Sequence, residues 1–104
     1  MIVYAEENNL EELVKEGFCI VDIYSDTCGP CKLLAPILNR LEAEYPFITI
    51  VKVNTTTYPS YTEKLDIRGV PTLLFYNNGE LKERHLGVLN ADQLTERISN
   101  YMYS

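Results

Sequence analysis

The sequence predicts an α/β fold built on a mixed β-sheet. Nearly continuous apolar runs at residues 18–24 and 47–54 are typical of strands buried on both faces, and a segment with apolar residues at helical spacing lies between them. A hairpin pattern follows at residues 72–87. The order βαβαβα predicts parallel strands joined by helical crossovers, and the closing ββα predicts an antiparallel hairpin with a final helix.

The first two strands flank a short helix. Residues 2–4 form a short candidate strand, and residues 18–24 form a longer one that is almost entirely apolar. Between them, apolar residues recur at helical spacing. Asn8 or Asn9 is expected to cap this helix, and Gly17 is expected to end it.

A second helix follows the cysteine-containing segment at residues 27–32. Its apolar residues recur at helical spacing, and the predicted buried face consists of Leu33, Leu34, Ile37, Leu38, Leu41 and Tyr45. Pro36 falls inside this helix, where it removes the hydrogen bond to the carbonyl of residue 32 and should introduce a kink.

The second half of the chain begins with the buried strand at residues 47–54. Residues 55–69 are expected to form a loop with a short helix that ends near Leu65. An Asn-Asn-Gly turn at residues 77–79 closes the hairpin. The last helix starts at a capping-box pattern, residues 90–93, and has one apolar face.

Length, composition and charge exclude several classes of protein. The chain has 104 residues, of which 46% are hydrophobic and 23% charged, and no repeat or linker divides it, so residues 1–104 are expected to form a single domain. Its net charge of −6 disfavours a nucleic-acid partner. No apolar run approaches the roughly 18 residues of a membrane span. The first residues also lack the basic start and apolar core of a signal peptide, so we expect a cytoplasmic protein.

Two of the three cysteines, Cys28 and Cys31, are separated by two residues. Such a pair can be a structural disulfide, part of a metal site, or a working redox couple. The structural disulfide is disfavoured because cytosolic thiols are kept reduced, and because so short a loop restricts the unfolded chain little.

A metal site needs more ligands than the sequence offers. Zinc sites usually pair one C-x-x-C with a second pair of ligands. The remaining candidates are Cys19, which lies in the middle of an apolar strand, and His85, which lies among charged residues. We therefore expect no metal, and Cys19 is expected to be an inert buried side chain.

The redox interpretation fits the predicted local structure. Cys28 would lie at the N-terminus of the second helix, with Pro30 in its first turn. Helix N-termini and C-x-x-C pairs lower a thiol pKa from about 8.5 into the range of roughly 3.5–7.5, which makes the thiolate nucleophile available. Cys31, one turn further along, can then attack the mixed disulfide that Cys28 forms with a substrate.

Two charged residues interrupt the apolar strands. Asp22 lies in the run at residues 18–24 and Lys52 in the run at residues 47–54. A buried charge must find a partner, reach water or become neutral. If the two strands are neighbours, Asp22 and Lys52 could face each other, and the structural interpretation is a strand-end salt bridge or a snorkelling lysine. Alternatively, Asp22 handles the proton of Cys31, because burial raises a carboxyl pKa toward neutrality.

The segments VDIYSDTCGPCKLLAPIL and LDIRGVPTLLFYNNGE resemble the two signature stretches of the thioredoxin family. The likeness covers essentially the whole chain. Its most specific part is C-G-P-C followed by Lys32, with an aspartate six residues ahead and G-V-P-T downstream. The resemblance implies a thioredoxin fold, a central mixed β-sheet (βαβαβαββα) flanked by helices on both faces.

The resemblance also implies roles for the residues singled out above. Cys28 matches the attacking thiol and Cys31 the resolving thiol of the family. Asp22 matches the buried acid, and Lys52 matches its partner.

A substrate groove is implied as well. Pro71 matches a cis-proline that, with Val70 before it, faces the dithiol and helps to hold an extended substrate segment. Gly87 matches a groove glycine whose missing side chain permits close approach. Gly29 and Pro30, between the cysteines, resemble the members that reduce disulfides rather than those that form them.

One departure from the family pattern concerns the surface of this chain that would contact partner proteins. The family usually has Trp immediately before the first cysteine and another three residues earlier, whereas this chain has Thr27 and Tyr24 and no Trp at all. An exposed aromatic beside the nucleophile gives contact area for partners. Its absence affects the expected set of partners more than the expected chemistry.

The sequence therefore predicts a monomeric thiol–disulfide oxidoreductase that reduces disulfide-containing client proteins. A separate thioredoxin reductase, of flavin or ferredoxin type, would return it to the dithiol, and no bound cofactor is expected. The alternative is a non-catalytic thioredoxin-like adaptor that uses the groove around Val70, Pro71 and Gly87 for binding alone. The intact C-G-P-C disfavours the adaptor, which has no use for a reactive dithiol.

Overall fold

The computed structural model describes residues 1–103. Within that range the elements are β1 Ile2–Tyr4, α1 Leu10–Leu13, β2 Phe18–Tyr24, α2 Gly29–Glu44, β3 Thr49–Asn54, α3 Ser60–Lys64, β4 Thr72–Asn77, β5 Glu80–Leu86 and α4 Ala91–Tyr101. This order confirms the predicted βαβαβαββα arrangement. No helix in this part of the chain is long and apolar enough to cross a bilayer.

The five strands form one sheet in the order β1-β3-β2-β4-β5. Strands β1, β3 and β2 are parallel, as expected for strands joined by helical crossovers, whereas β4 runs antiparallel to β2 and β5 antiparallel to β4. The predicted mixed sheet is confirmed. Its central strand, β2, leads directly into the segment that contains the cysteine pair.

Helices cover both faces of the sheet, as the family resemblance implied. Successive strand residues point to opposite faces, so neighbouring positions in β2 contribute to different clusters. On one face, Ile20 packs with residues of α2 and α4; on the other, Val21 packs with residues of α1 and α3. The buried helix residues of the first cluster are Leu34, Leu38, Leu41, Leu94 and Ile98.

Three predicted details are wrong: the burial of Leu33, the end of α1 and the start of β3. Leu33 is 67% exposed, because the buried line of α2 follows residues 34, 38 and 41 and turns Leu33 toward solvent. Helix α1 ends at Leu13 rather than at Gly17, which adopts φ +72° and donates its amide to Asn78 Oδ1. Strand β3 starts at Thr49, leaving Phe47 exposed.

The capping box and the hairpin turn are confirmed. Asn90 accepts the amide of Gln93, and the Gln93 side chain accepts the amide of Asn90. Asn78 and Gly79 both have positive φ, the geometry that a two-residue hairpin turn requires.

Candidate active site

The two cysteines lie where β2 ends and α2 begins. Cys28 is the N-cap residue of α2, Pro30 is in the first turn, and Cys31 follows within the same turn. Cys28 and Cys31 are joined by a disulfide, with 5.3 Å between their Cα atoms. The Cys28 Sγ accepts the backbone N–H of Cys31 at 3.1 Å. Both residues are largely buried, at 8% and 6% exposure.

The segment that leads into Cys28 is fastened to the loop after β3. The Asp26 amide donates to Thr56 Oγ1 at 3.0 Å, and the Asp26 carboxylate accepts from the Asn54 side chain at 2.9 Å. Thr55 donates both its amide and its hydroxyl to the carbonyl of Tyr24. We call residues 24–26 and 54–57, with these bonds, the loop clasp.

Sequence reasoning missed the loop clasp. Its one local signal is Asn54 at a strand end, since Asn side chains at turns accept amides a few residues further on. Asn54 Oδ1 indeed accepts the amides of Thr56 and Thr57. The clasp also needs β2 and β3 to be neighbours, which no short stretch of sequence reveals.

Asp22 is buried in the sheet opposite Lys52. The two residues are paired in the β2–β3 register, and Lys52 Nζ lies 2.9 Å from Asp22 Oδ2. Asp22 is only 1% exposed, and its second oxygen, Oδ1, has no hydrogen-bond partner among residues 1–103. Burial raises the pKa of the Asp22 carboxyl above its ordinary value of 3.8, and the nearby Lys52 only partly offsets this.

A cleft of about 290 Å³ joins the acid to the cysteine pair. Asp22, Cys31 and Lys52 all line it, together with Tyr24 and Asp26. Asp22 therefore has both a salt-bridge partner and access to the space beside Cys31. The two interpretations of Asp22 and Lys52 that the sequence left open are compatible in this geometry.

The proposed substrate groove is centred on Pro71. The Val70–Pro71 peptide bond is cis, as the resemblance implied. The Pro71 carbonyl accepts the amide of Gly87 at 2.8 Å, which brings the end of β5 against the start of β4. Gly87 has φ +108°, and a Cβ placed there would meet only one atom, at 4.0 Å. The backbone conformation, rather than crowding within the chain, is what requires glycine at this position.

The residues next to Cys28 in sequence include no aromatic side chain. Thr27, Gly29 and Pro30 are all exposed. Tyr24 is partly buried, and the Lys52 ammonium lies 5.2 Å from the centre of its ring. Tyr24 therefore packs toward the Asp22–Lys52 pair instead of offering an exposed aromatic contact.

The other two metal-ligand candidates lie apart from the pair. Cys19 is fully buried, and burial raises the pKa of its thiol. His85 lies on β5, paired with Leu73. Within residues 1–103 no three His, Cys, Asp or Glu side chains form a group that could hold a metal ion.

Comparisons with known proteins agree with this geometry. The family model named Thioredoxin matches residues 1–100. The chain is 33% identical over 101 residues to a thioredoxin of Chlamydia muridarum, covering 97% of this chain and 99% of the relative. It is 44% identical over 96 residues to the chloroplastic thioredoxin Y2 of Arabidopsis thaliana, covering 89% of this chain and 58% of the relative. A chloroplastic M-type thioredoxin of Spinacia oleracea is 40% identical over 84 residues, covering 80% of this chain and 46% of the relative.

Proposed function

The chain belongs to the thioredoxin family of thiol–disulfide oxidoreductases, and from that premise we propose how its Cys28–Cys31 pair reduces client proteins. Three features support the proposal: the N-cap position of Cys28, the amide that its sulfur accepts, and the cleft that Cys31 shares with Asp22. The single observation that carries it is the Cys28–Cys31 disulfide at the start of α2.

The first step is nucleophilic attack by Cys28. In the dithiol form, the free N–H groups and dipole at the start of α2 favour a thiolate at the N-cap. This thiolate attacks one sulfur of the client disulfide, forming a mixed disulfide and releasing the other client sulfur as a thiolate. The Cys31 N–H, already directed at Cys28 Sγ, stabilises negative charge on that atom.

The second step is resolution by Cys31. Its thiol loses a proton and attacks the Cys28 sulfur of the mixed disulfide, which closes the Cys28–Cys31 bond and releases the second client thiolate. The client gains two electrons from the cysteine pair, and its two thiolates take up two protons, one released by Cys31 and one from the solvent that accepted the Cys28 proton. Asp22 accepts the Cys31 proton in the shared cleft and releases it to solvent for the client thiolates, since the raised pKa of its carboxyl makes it a stronger base than an ordinary aspartate.

The oxidised pair must then be reduced by another protein. We propose a thioredoxin reductase as the electron source and disulfide-containing proteins as the clients, with this chain acting as a monomer. An extended client segment would lie along Val70, Pro71 and Gly87, beside Thr27 and the exposed Gly29 and Pro30. We place this cycle in the cytoplasm, where a reductase keeps such a couple in the dithiol form.

The reduction of insulin with dithiothreitol as electron donor tests the proposal. The wild-type chain is expected to accelerate precipitation of the insulin B chain, and Cys28→Ser is expected to abolish this activity. Cys31→Ser should still react once and then remain attached to insulin. Cys19→Ala, which removes the third thiol, is the matched control and should keep full activity.

The same assay separates the enzyme from the adaptor. A non-catalytic adaptor would bind clients but leave the rate of insulin reduction unchanged. A wild-type chain no faster than the Cys28→Ser variant would therefore contradict the proposed function.

A further inference from the structure

A shallow groove of about 370 Å³ lies beside the start of β4. It is lined by Asp66, Arg68, Thr72, Arg84 and Leu86. Two of these five residues carry guanidinium groups, in a chain whose net charge is −6. We call it the arginine groove.

The arginine groove adjoins the proposed client groove. Thr72 follows Pro71 directly, Leu86 directly precedes Gly87, and Thr72 and Leu86 are paired in the β4–β5 register. The hydrogen bond from the Gly87 amide to the Pro71 carbonyl holds the two strands together at the point where these neighbouring residues meet. An extended client chain advances about 3.3 Å per residue, so residues next to the one at Pro71 come within reach of the arginine groove.

Asp66 forms a hydrogen bond with each of the two arginines. It has a positive φ of 51°, and its carbonyl accepts Arg84 Nη1 at 3.2 Å. Its carboxylate accepts Arg68 Nη2 at 3.3 Å. Among residues 1–103, Arg84 has no carboxylate partner. Its guanidinium is thus positioned by a neutral backbone oxygen, and its charge remains available to a ligand.

We infer that the arginine groove binds a carboxylate side chain of the client, an Asp or Glu close to the disulfide being reduced. This inference rests on the proposed function, since it assigns a specificity site to the same client groove. Guanidinium groups suit the task because their planar fork can donate two parallel hydrogen bonds to a carboxylate. Arg84 is the primary contact, whereas Arg68 is shared with the Asp66 carboxylate, which competes with the client.

Two variants should shift specificity in opposite directions. Arg84→Gln removes the available charge and is expected to weaken the preference for acidic clients. Asp66→Asn removes the competing carboxylate and is expected to strengthen it. Asn tolerates the left-handed conformation at this position and keeps the carbonyl that Arg84 needs. Arg40→Gln, an exposed arginine in the second half of α2, makes the same charge change as Arg84→Gln and is the matched control.

The test compares disulfide peptides that differ by one residue, Glu or Gln, placed at each of the two positions on either side of the reacting cysteine. For at least one placement, the wild type should show a kcat/KM ratio, Glu over Gln, of about two- to fivefold, the range of an exposed ion pair. Arg84→Gln should bring that ratio close to one, Asp66→Asn should raise it, and Arg40→Gln should leave it unchanged. Added salt should lower the wild-type ratio.

Two results would overturn the inference. One is a wild-type ratio of one at every placement, and the other is a ratio that Arg84→Gln and Arg40→Gln change equally. In both cases reduction of the Gln peptides would proceed normally, so the proposed function would stand. A wild type that reduces none of the peptides would overturn the proposed function together with the inference.

Discussion

At the scale of single residues, the burial of Asp22 is expected to make the free energy of unfolding depend on pH. Its folded-state pKa is raised by burial, so the ionised carboxylate is less favourable in the folded protein than in the unfolded chain. The stability linked to Asp22 is fully present below the unfolded value of 3.8 and is lost as pH rises through the folded pKa. Each pH unit between the unfolded and folded pKa values changes the free energy of unfolding by about 1.4 kcal/mol.

Asp22→Asn should therefore make the protein more stable at neutral pH and equally stable in acid. Lys52 lines the cleft and can turn toward water, so no unpaired charge is trapped by the change. The variant should also reduce disulfides more slowly near neutrality, since Asn cannot take the proton-accepting role that we propose for Asp22. Denaturant unfolding across pH and the insulin assay measure the two effects.

Glu96→Gln is the matched control for Asp22→Asn, because Glu96 is an exposed acid on α4. It should change neither stability nor rate. An Asp22→Asn variant that is less stable than the wild type and fully active would refute the proton-handling role.

Thr27 lies beside Cys28 at the position where the family usually has Trp, on the surface that would contact partner proteins. It is exposed in the turn before Cys28, so a larger side chain fits there without repacking. Aromatic anchors often dominate interfaces, and truncating one costs about 2 kcal/mol or more, roughly thirtyfold in affinity. We predict that Thr27→Trp accepts a broader range of clients and turns over faster with a generic thioredoxin reductase.

Small-molecule disulfides provide the control for Thr27→Trp, because they need no protein contact surface. Both proteins should reduce a small aromatic disulfide at nearly the same rate. Equal rates with reductase, insulin and the small disulfide would mean that Thr27 carries no specificity.

At the scale of elements, the loop clasp fastens the segment that leads into Cys28, and we propose that it positions this thiol for attack. Thr56→Val keeps the shape of the side chain but removes the oxygen that accepts the Asp26 amide. Losing one hydrogen bond costs about 1 kcal/mol. We predict faster hydrogen exchange at the Asp26 amide and a slower rate of disulfide reduction, lowered by at most about fivefold, the factor to which about 1 kcal/mol corresponds.

Thr57→Val is the control for the clasp, since Thr57 donates its backbone amide to Asn54 and this bond does not need the side chain. It should leave both amide exchange and activity unchanged. If Thr56→Val and Thr57→Val behave alike, the clasp does not position Cys28.

Helices and strands could be predicted from the sequence where the residues of a single segment decide where the element begins and ends. Strand β2 has the predicted bounds because its seven residues are almost uninterruptedly apolar, and α4 begins where Asn90 and Gln93 form their capping box. The exposure of Leu33 was not predictable, because a helix with adjacent leucines can bury either one. Only the packing of α2 against the sheet decides between them.

At the scale of the whole molecule, the site depends on contacts between distant segments. The cysteine pair is local in sequence, so its place at the start of α2 could be predicted from the residues alone. The Asp22–Lys52 pair could be predicted only on the condition that β2 and β3 are neighbours. The cis bond before Pro71 followed from the family resemblance, since only about 5–6% of such bonds are cis.

The arginine groove could not be predicted from the sequence. Arg68 and Arg84 belong to a loop and to the edge strand β5, and both bond to Asp66. Nothing in either segment alone indicates that the two side chains meet. Their approach follows from the way in which the hairpin folds back beside the loop before β4.

The central claim is that Cys28 is the attacking thiol and Cys31 the resolving one. The most direct measurement is the rate at which iodoacetamide alkylates each cysteine of the reduced protein at neutral pH, resolved by peptide mass spectrometry. The account predicts that Cys28 is labelled first, that Cys31 reacts much more slowly, and that Cys19 remains unlabelled until the protein unfolds. Labelling of Cys31 ahead of Cys28 would contradict it.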